Sequence, residues 1–82
     1  MNKIEINIDG MMCGMCEAHV NDLFRRHIII KKIKSNHYMK KTIIITEEDP
    51  SDELIKSSLE GSGYNVLNIF RTKARKTLLG YK

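Results

Sequence analysis

The chain has little cysteine: Cys13 and Cys16 are the only two in 82 residues. A secreted disulfide framework needs more of them, spread along the chain, so that class is excluded. In a reducing compartment, a pair three positions apart reads instead as a metal site or a redox pair. Long apolar runs are missing too. The longest branched aliphatic stretches are the isoleucine triplets at 28–30 and 43–45, strand-sized and far from the ~20 residues of a membrane-spanning helix. No membrane insertion is expected. The opening Met1-Asn2-Lys3 enters an alternating segment at once, with no basic region, apolar stretch and small-residue cleavage site in series, so the expected location is cytoplasmic.

Aromatics are scarce at 6%. The net charge of +4 raises the question of nucleic acid, but no basic-aromatic stacking surface is visible. Much of the excess sits late, at Arg71, Lys73, Arg75, Lys76 and Lys82. Solubility and weak electrostatic steering account for it, and no nucleic-acid partner is expected. At 82 residues and 41% hydrophobic the chain supports one domain with a small core. A deep substrate cleft would consume much of that core, which argues against a self-contained enzyme.

What is present is clear periodicity. In residues 3–9, Ile4, Ile6 and Ile8 alternate with Lys3, Glu5, Asn7 and Asp9, the pattern of a half-buried strand. Gly10 ends it, and from about 15 to 27 the spacing turns helical, with Cys16, Val20, Leu23, Phe24 and His27 on one stripe. Residues 29–38 and 42–46 read as a hairpin, although its turn has no glycine. A second helix is expected to open with Asp49 as N-cap and Pro50 in its first position, carrying Leu54, Ile55 and Leu59 inward and stopping at Gly61 and Gly63. Residues 64–70 form the last strand, Val66 alternating against Leu67 and Ile69. The order β-α-β-β-α-β predicts an α+β fold, the ferredoxin-like sandwich: a four-stranded antiparallel sheet with both helices on one face. Residues 1–71 would make this domain and 72–82 a basic, flexible tail, with Leu78, Leu79 and Tyr81 able to dock. There is no internal repeat and no low-complexity segment.

Chemistry concentrates at 10–16, Gly-Met-Met-Cys-Gly-Met-Cys, between the first strand and the first helix. A helix N-terminus favours thiolates, and soft metals prefer thiolate ligands. Two intervening residues let both sulfurs converge on one ion. Two sulfurs suit Cu(I), whereas structural Zn(II) normally takes four protein ligands; no second cysteine pair exists. Met11, Met12 and Met15 suggest a methionine-rich copper site, but such residues more often fill gaps. His19, one helical turn from Cys16, is a candidate third ligand. His27 and His37 lie far along the chain and are assigned no role.

This setting resembles the heavy-metal-associated domain, the family of copper chaperones and of the metal-binding modules of P-type ATPases, whose motif is G-M-x-C-x-x-C at the start of the first helix. The resemblance spans about residues 3–70. It implies that Cys13 and Cys16 are the ligands, that Met11 packs beneath the site without ligating, and that Tyr64, after Gly63, lies close to the metal. Zinc-specialised members often carry an acid just before the first cysteine; Met12 stands there and favours Cu(I). Glu17 and His19 depart from the pattern as harder ligands and keep Zn(II) or another thiophilic ion open. The implied partner is a metal-transporting P-type ATPase or another metal-accepting protein, and a metal-dependent homodimer sharing an ion is an open arrangement.

The competing class is a glutaredoxin-like thiol-disulfide oxidoreductase. Such proteins carry a proline opening a strand beside the site and an aromatic between the cysteines. The one proline, Pro50, is expected to open a helix, and Gly14 and Met15 lie between the cysteines. A metal-responsive regulatory module would use the same two thiols as a carrier.

Overall fold

The computed structural model describes residues 2–73 and, further on, the backbone of 76–77 and 80–81. Its elements run β1 (Asn2–Asp9), α1 (Gly14–His27), β2 (Lys32–Asn36), β3 (Lys41–Thr46), α2 (Asp52–Ser58) and β4 (Asn65–Lys73), then the short pair β5 (Lys76–Thr77) and β6 (Gly80–Tyr81). The main sheet is antiparallel in the order β2-β3-β1-β4. This is the expected ferredoxin-like α+β arrangement. No described helix is long and apolar enough to cross a membrane.

The alternation in β1 sets the layers. Ile4, Ile6 and Ile8 are fully buried and join Val20 and Phe24 of α1, Ile44 of β3, and Ile55 and Leu59 at α2 in one core. Burying such a side chain contributes about 1.5–3 kcal/mol. The α1 stripe ends on Ile28, not on His27: His27 is exposed, and Ile28 is buried as the extended C-cap residue, its N–H bonded to the Phe24 carbonyl. The isoleucine triplet at 28–30 is therefore the link between α1 and β2, and the strand begins three residues later than its β-prone composition suggested.

The glycine-free hairpin turn is built by a side chain. Asn36 Oδ1 accepts from the N–H groups of Tyr38 and Met39 at 2.9 and 3.1 Å, and Lys40 takes the left-handed conformation at φ +54°. The Lys40 carbonyl accepts from the Ile8 N–H at 2.8 Å. This brings the β2–β3 turn to the end of β1 from which the cysteine loop departs.

The start of α2 corrects the expected cap. Ser51 is the N-cap, its hydroxyl accepting from the Leu54 N–H at 3.1 Å. Asp49 and Asp52 instead hold the guanidinium of Arg71, and Pro50 is buried ahead of the cap. A hydroxyl two residues nearer the helix reaches the third amide, while the carboxylate of Asp49 is drawn to a cation 22 residues away.

The last strand differs in register and length. Asn7 faces Asn68 but Ile8 faces Val66, so Leu67 is an extra residue in a bulge. The bulge resets the alternation: Val66 and Ile69 both pack on the core while Leu67 is exposed. The strand also runs past 70, with Thr72 and Lys73 pairing with Lys3 and Asn2. The expected flexibility of the tail, and docking by Leu78, Leu79 and Tyr81, lie outside the described residues and side chains.

Candidate metal centre

Gly10 turns the chain out of β1 with φ +108°, a conformation that side-chain-bearing residues rarely adopt. A Cβ there would stand 3.0 Å from the Gly63 carbonyl oxygen and 3.2 Å from the Tyr64 ring. Glycine at this point lets the loop pass directly against the α2–β4 turn. Met11 then drops into the core, 3% exposed, with Cys16 and Tyr64 packed on the same cluster. Met12 and Met15 are 81% and 83% exposed.

Cys13 is the N-cap of α1, in extended conformation, and its carbonyl accepts from the Cys16 and Glu17 N–H groups at 3.0 and 3.2 Å. Its side chain makes no capping bond. The two thiols, both free, lie with their sulfurs 3.9 Å apart at the positive pole of α1. The Cys16 thiol is lowered from 9.0 to about 7, chiefly by a hydrogen bond from the Met12 backbone, then by the Tyr64 hydroxyl and by Cys13, against the opposing effect of burial. Burial, and donation to Cys16, push the Tyr64 phenol up.

Tyr64 is thus brought beside Cys16, and it also reaches His19. His19 Nδ1 lies 3.2 Å from the Tyr64 hydroxyl, the rings edge-to-face with centroids 5.5 Å apart. Tyr64 therefore stands between the His19 imidazole, within hydrogen-bond distance of its hydroxyl, and the Cys16 thiol that it helps to lower. No group of three or more His, Cys, Asp or Glu side chains able to hold a metal occurs among the described residues.

Glu17 is occupied elsewhere. Its Oε2 lies 2.5 Å from His37 Nδ1 and accepts from the His37 N–H at 2.8 Å, and these bonds hold the carboxyl below its usual range. The fold therefore gives His37 a place next to the cysteine helix that separation along the chain concealed. Strand parity carried the signal: Ile33 and Ser35 share the side of β2 that α1 covers, and His37 is the next residue of that parity, just past the strand's end.

A cavity of about 560 Å³ opens between α2 and the start of β4, with Tyr64 on its wall but neither cysteine. Cys13 is exposed and Cys16 half-buried, both at the start of α1.

No protein-family model and no curated protein matches the sequence. Solved structures do match the fold. A CopZ metallochaperone is 20% identical with a TM-score of 0.68, covering 79% of this chain and 98% of its own. A heavy metal binding protein from Thermotoga maritima is 17% identical at 0.66, covering 88% and 100%. A copper binding domain from a P-type ATPase is 22% identical at 0.68, covering 84% and 97%. The chain therefore shares the ferredoxin-like fold of these metal-handling proteins.

Proposed function

We propose that the protein binds a thiophilic ion, Cu(I) foremost, between Cys13 and Cys16 and passes it to a protein acceptor by ligand exchange. The observation that carries this reading is the pair of free sulfurs 3.9 Å apart on an uncapped helix N-terminus. With metal–sulfur bonds of about 2.3 Å, that separation subtends roughly 116° at an ion, and about 0.7 Å of opening would make the site linear. Both angles suit a two-thiolate site for a soft ion, and an incoming thiolate has room to attack it in the open loop. The fold likeness to a metallochaperone and to a P-type ATPase copper binding domain supports both a carrier role and such an ATPase as the acceptor. Met11 supports the loop from below, Tyr64 steadies the Cys16 thiolate, and His19 steadies Tyr64. Free thiols suit a reducing, cytoplasmic setting, and exchange needs no enzymatic step.

The test is anaerobic titration of the reduced protein with Cu(I) against a competing chelator, repeated with Zn(II). One-to-one Cu(I) binding abolished by Cys13→Ser or Cys16→Ser is expected, with weaker Zn(II) binding. His19→Ala should leave stoichiometry unchanged; loss of binding in that variant would make His19 a third ligand. Loss of the ion to a weak chelator, together with catalysed disulfide reduction, would replace this reading by the oxidoreductase.

A further inference from the structure

The helices cover one side of the sheet and leave the other open. On that open side the register writes out two rows across the strands: Lys32, Ile45 and Lys3, then Lys34, Ile43, Glu5 and Phe70. Lys3, Lys32, Lys34 and the two isoleucines line a shallow cavity of about 150 Å³. Ile45 on its floor is only 4% exposed, whereas Phe70 at the side of the same face is 52% exposed. Glu5 is neutralised by Lys41 at 3.2 Å. Among the described residues, Lys3, Lys32 and Lys34 have no carboxylate within ion-pair distance.

Charge is segregated across the fold. Six of the ten acidic residues, Glu47, Glu48, Asp49, Asp52, Glu53 and Glu60, fall on or around α2. The open sheet face therefore carries a net positive array over an apolar floor. Lys32 and Lys34 are about 6.7 Å apart along β2, and Lys3 lies two strands away, about 9.5 Å. This array is spread across the sheet face, and the side chains lining the cavity are three lysines and two isoleucines, with no carboxylate among them.

We propose that this face rests on an anionic phospholipid surface. The planar array meets many headgroup phosphates at once, the lysine stems lie along the isoleucines with their ammonium groups outward, and Phe70 enters the interface as an aromatic anchor. The cysteine loop sits at one end of the sheet, so it stays accessible while the face is occupied. Attachment is electrostatic and therefore salt-sensitive.

The test is co-sedimentation of the reduced, metal-free full chain with vesicles of phosphatidylcholine alone or mixed with phosphatidylglycerol. Binding to the mixed vesicles only, released by high salt, is expected. Removing each lysine should weaken it about fivefold, so the K3Q/K32Q/K34Q variant should bind about a hundredfold more weakly, while K3R/K32R/K34R keeps the affinity. C13S/C16S should bind vesicles as the wild type does, so the outcome is independent of the thiol site. The proposal is overturned by no binding to anionic vesicles, by equal binding of the glutamine variant, or by loss of binding in R75Q/K76Q/K82Q alone. Capture of polyglutamate through these lysines without vesicle binding overturns it as well.

Discussion

The two helices begin in opposite ways. At α2 the N-cap Ser51 spends its hydroxyl on the Leu54 amide, and Asp52 and Glu53 fill the first turn with negative charge. At α1 the N-cap Cys13 leaves its side chain unspent, and the first-turn acid Glu17 is turned aside to His37. One helix start satisfies itself locally. The other keeps its positive pole and two sulfurs available for something from outside. A helix that forgoes a cap gives up about 1 kcal/mol, and at α1 that omission coincides with the thiol pair.

The largest test of this contrast is metal affinity. A structural zinc site is worth about 10–16 kcal/mol over four ligands, or roughly 2.5–4 kcal/mol each, so Cys13→Ser or Cys16→Ser should weaken Cu(I) binding by about seventyfold to nine-hundredfold in chelator competition. Gly10→Ala comes next. It places a Cβ against the Gly63 carbonyl at a positive φ, and a loss of about 1–3 kcal/mol in denaturant unfolding is expected, with Tyr64 displaced from Cys16.

The caps themselves should respond with opposite signs. Ser51→Ala should destabilise the protein by about 1 kcal/mol, whereas Cys13→Ser, which supplies the hydroxyl that α1 lacks, should leave the metal-free protein unchanged or up to about 1 kcal/mol more stable. Equal losses from both substitutions would erase the distinction between the two helix starts.

The smallest effect is on acidity. Cys16 ionises through about pH 7 because the Met12 backbone and then the Tyr64 hydroxyl favour its thiolate. Tyr64→Phe removes a donor to the charged form, so the midpoint should move up toward 9.0, seen as slower alkylation of Cys16 by iodoacetamide at pH 7. Metal binding displaces the thiol proton, so wild-type affinity should fall as pH drops below about 7.

Much of this was legible locally. The Ile4-Ile6-Ile8 alternation, the Val20–Phe24 stripe and the spacing of Cys13 and Cys16 each depend on a backbone period and on neighbours within one turn or strand. The start of α2 was misplaced because Asp49 and Ser51 are both good caps, and the choice was made by Arg71 from across the molecule. The 28–30 triplet looked like a strand because isoleucine is equally at home in a buried link. The Leu67 bulge was invisible because register is a property of two strands, not one.

The sequence by itself determined the layers, the element order and the two thiols at a helix N-terminus, since periodicity and short spacing decide these. The resemblance pointed to Met11 and Tyr64 beside the thiols, but the tertiary structure decided how these groups meet. Tyr64 reaches Cys16 and His19 from 45 or more positions away because Gly10 lets two loops touch. His37 reaches Glu17 because a hairpin folds back along α1. The lysines of the open face became an array only when Lys3 was set two strands from Lys32. In each case the contact depends on chain crossings and strand register, which no local window of residues contains.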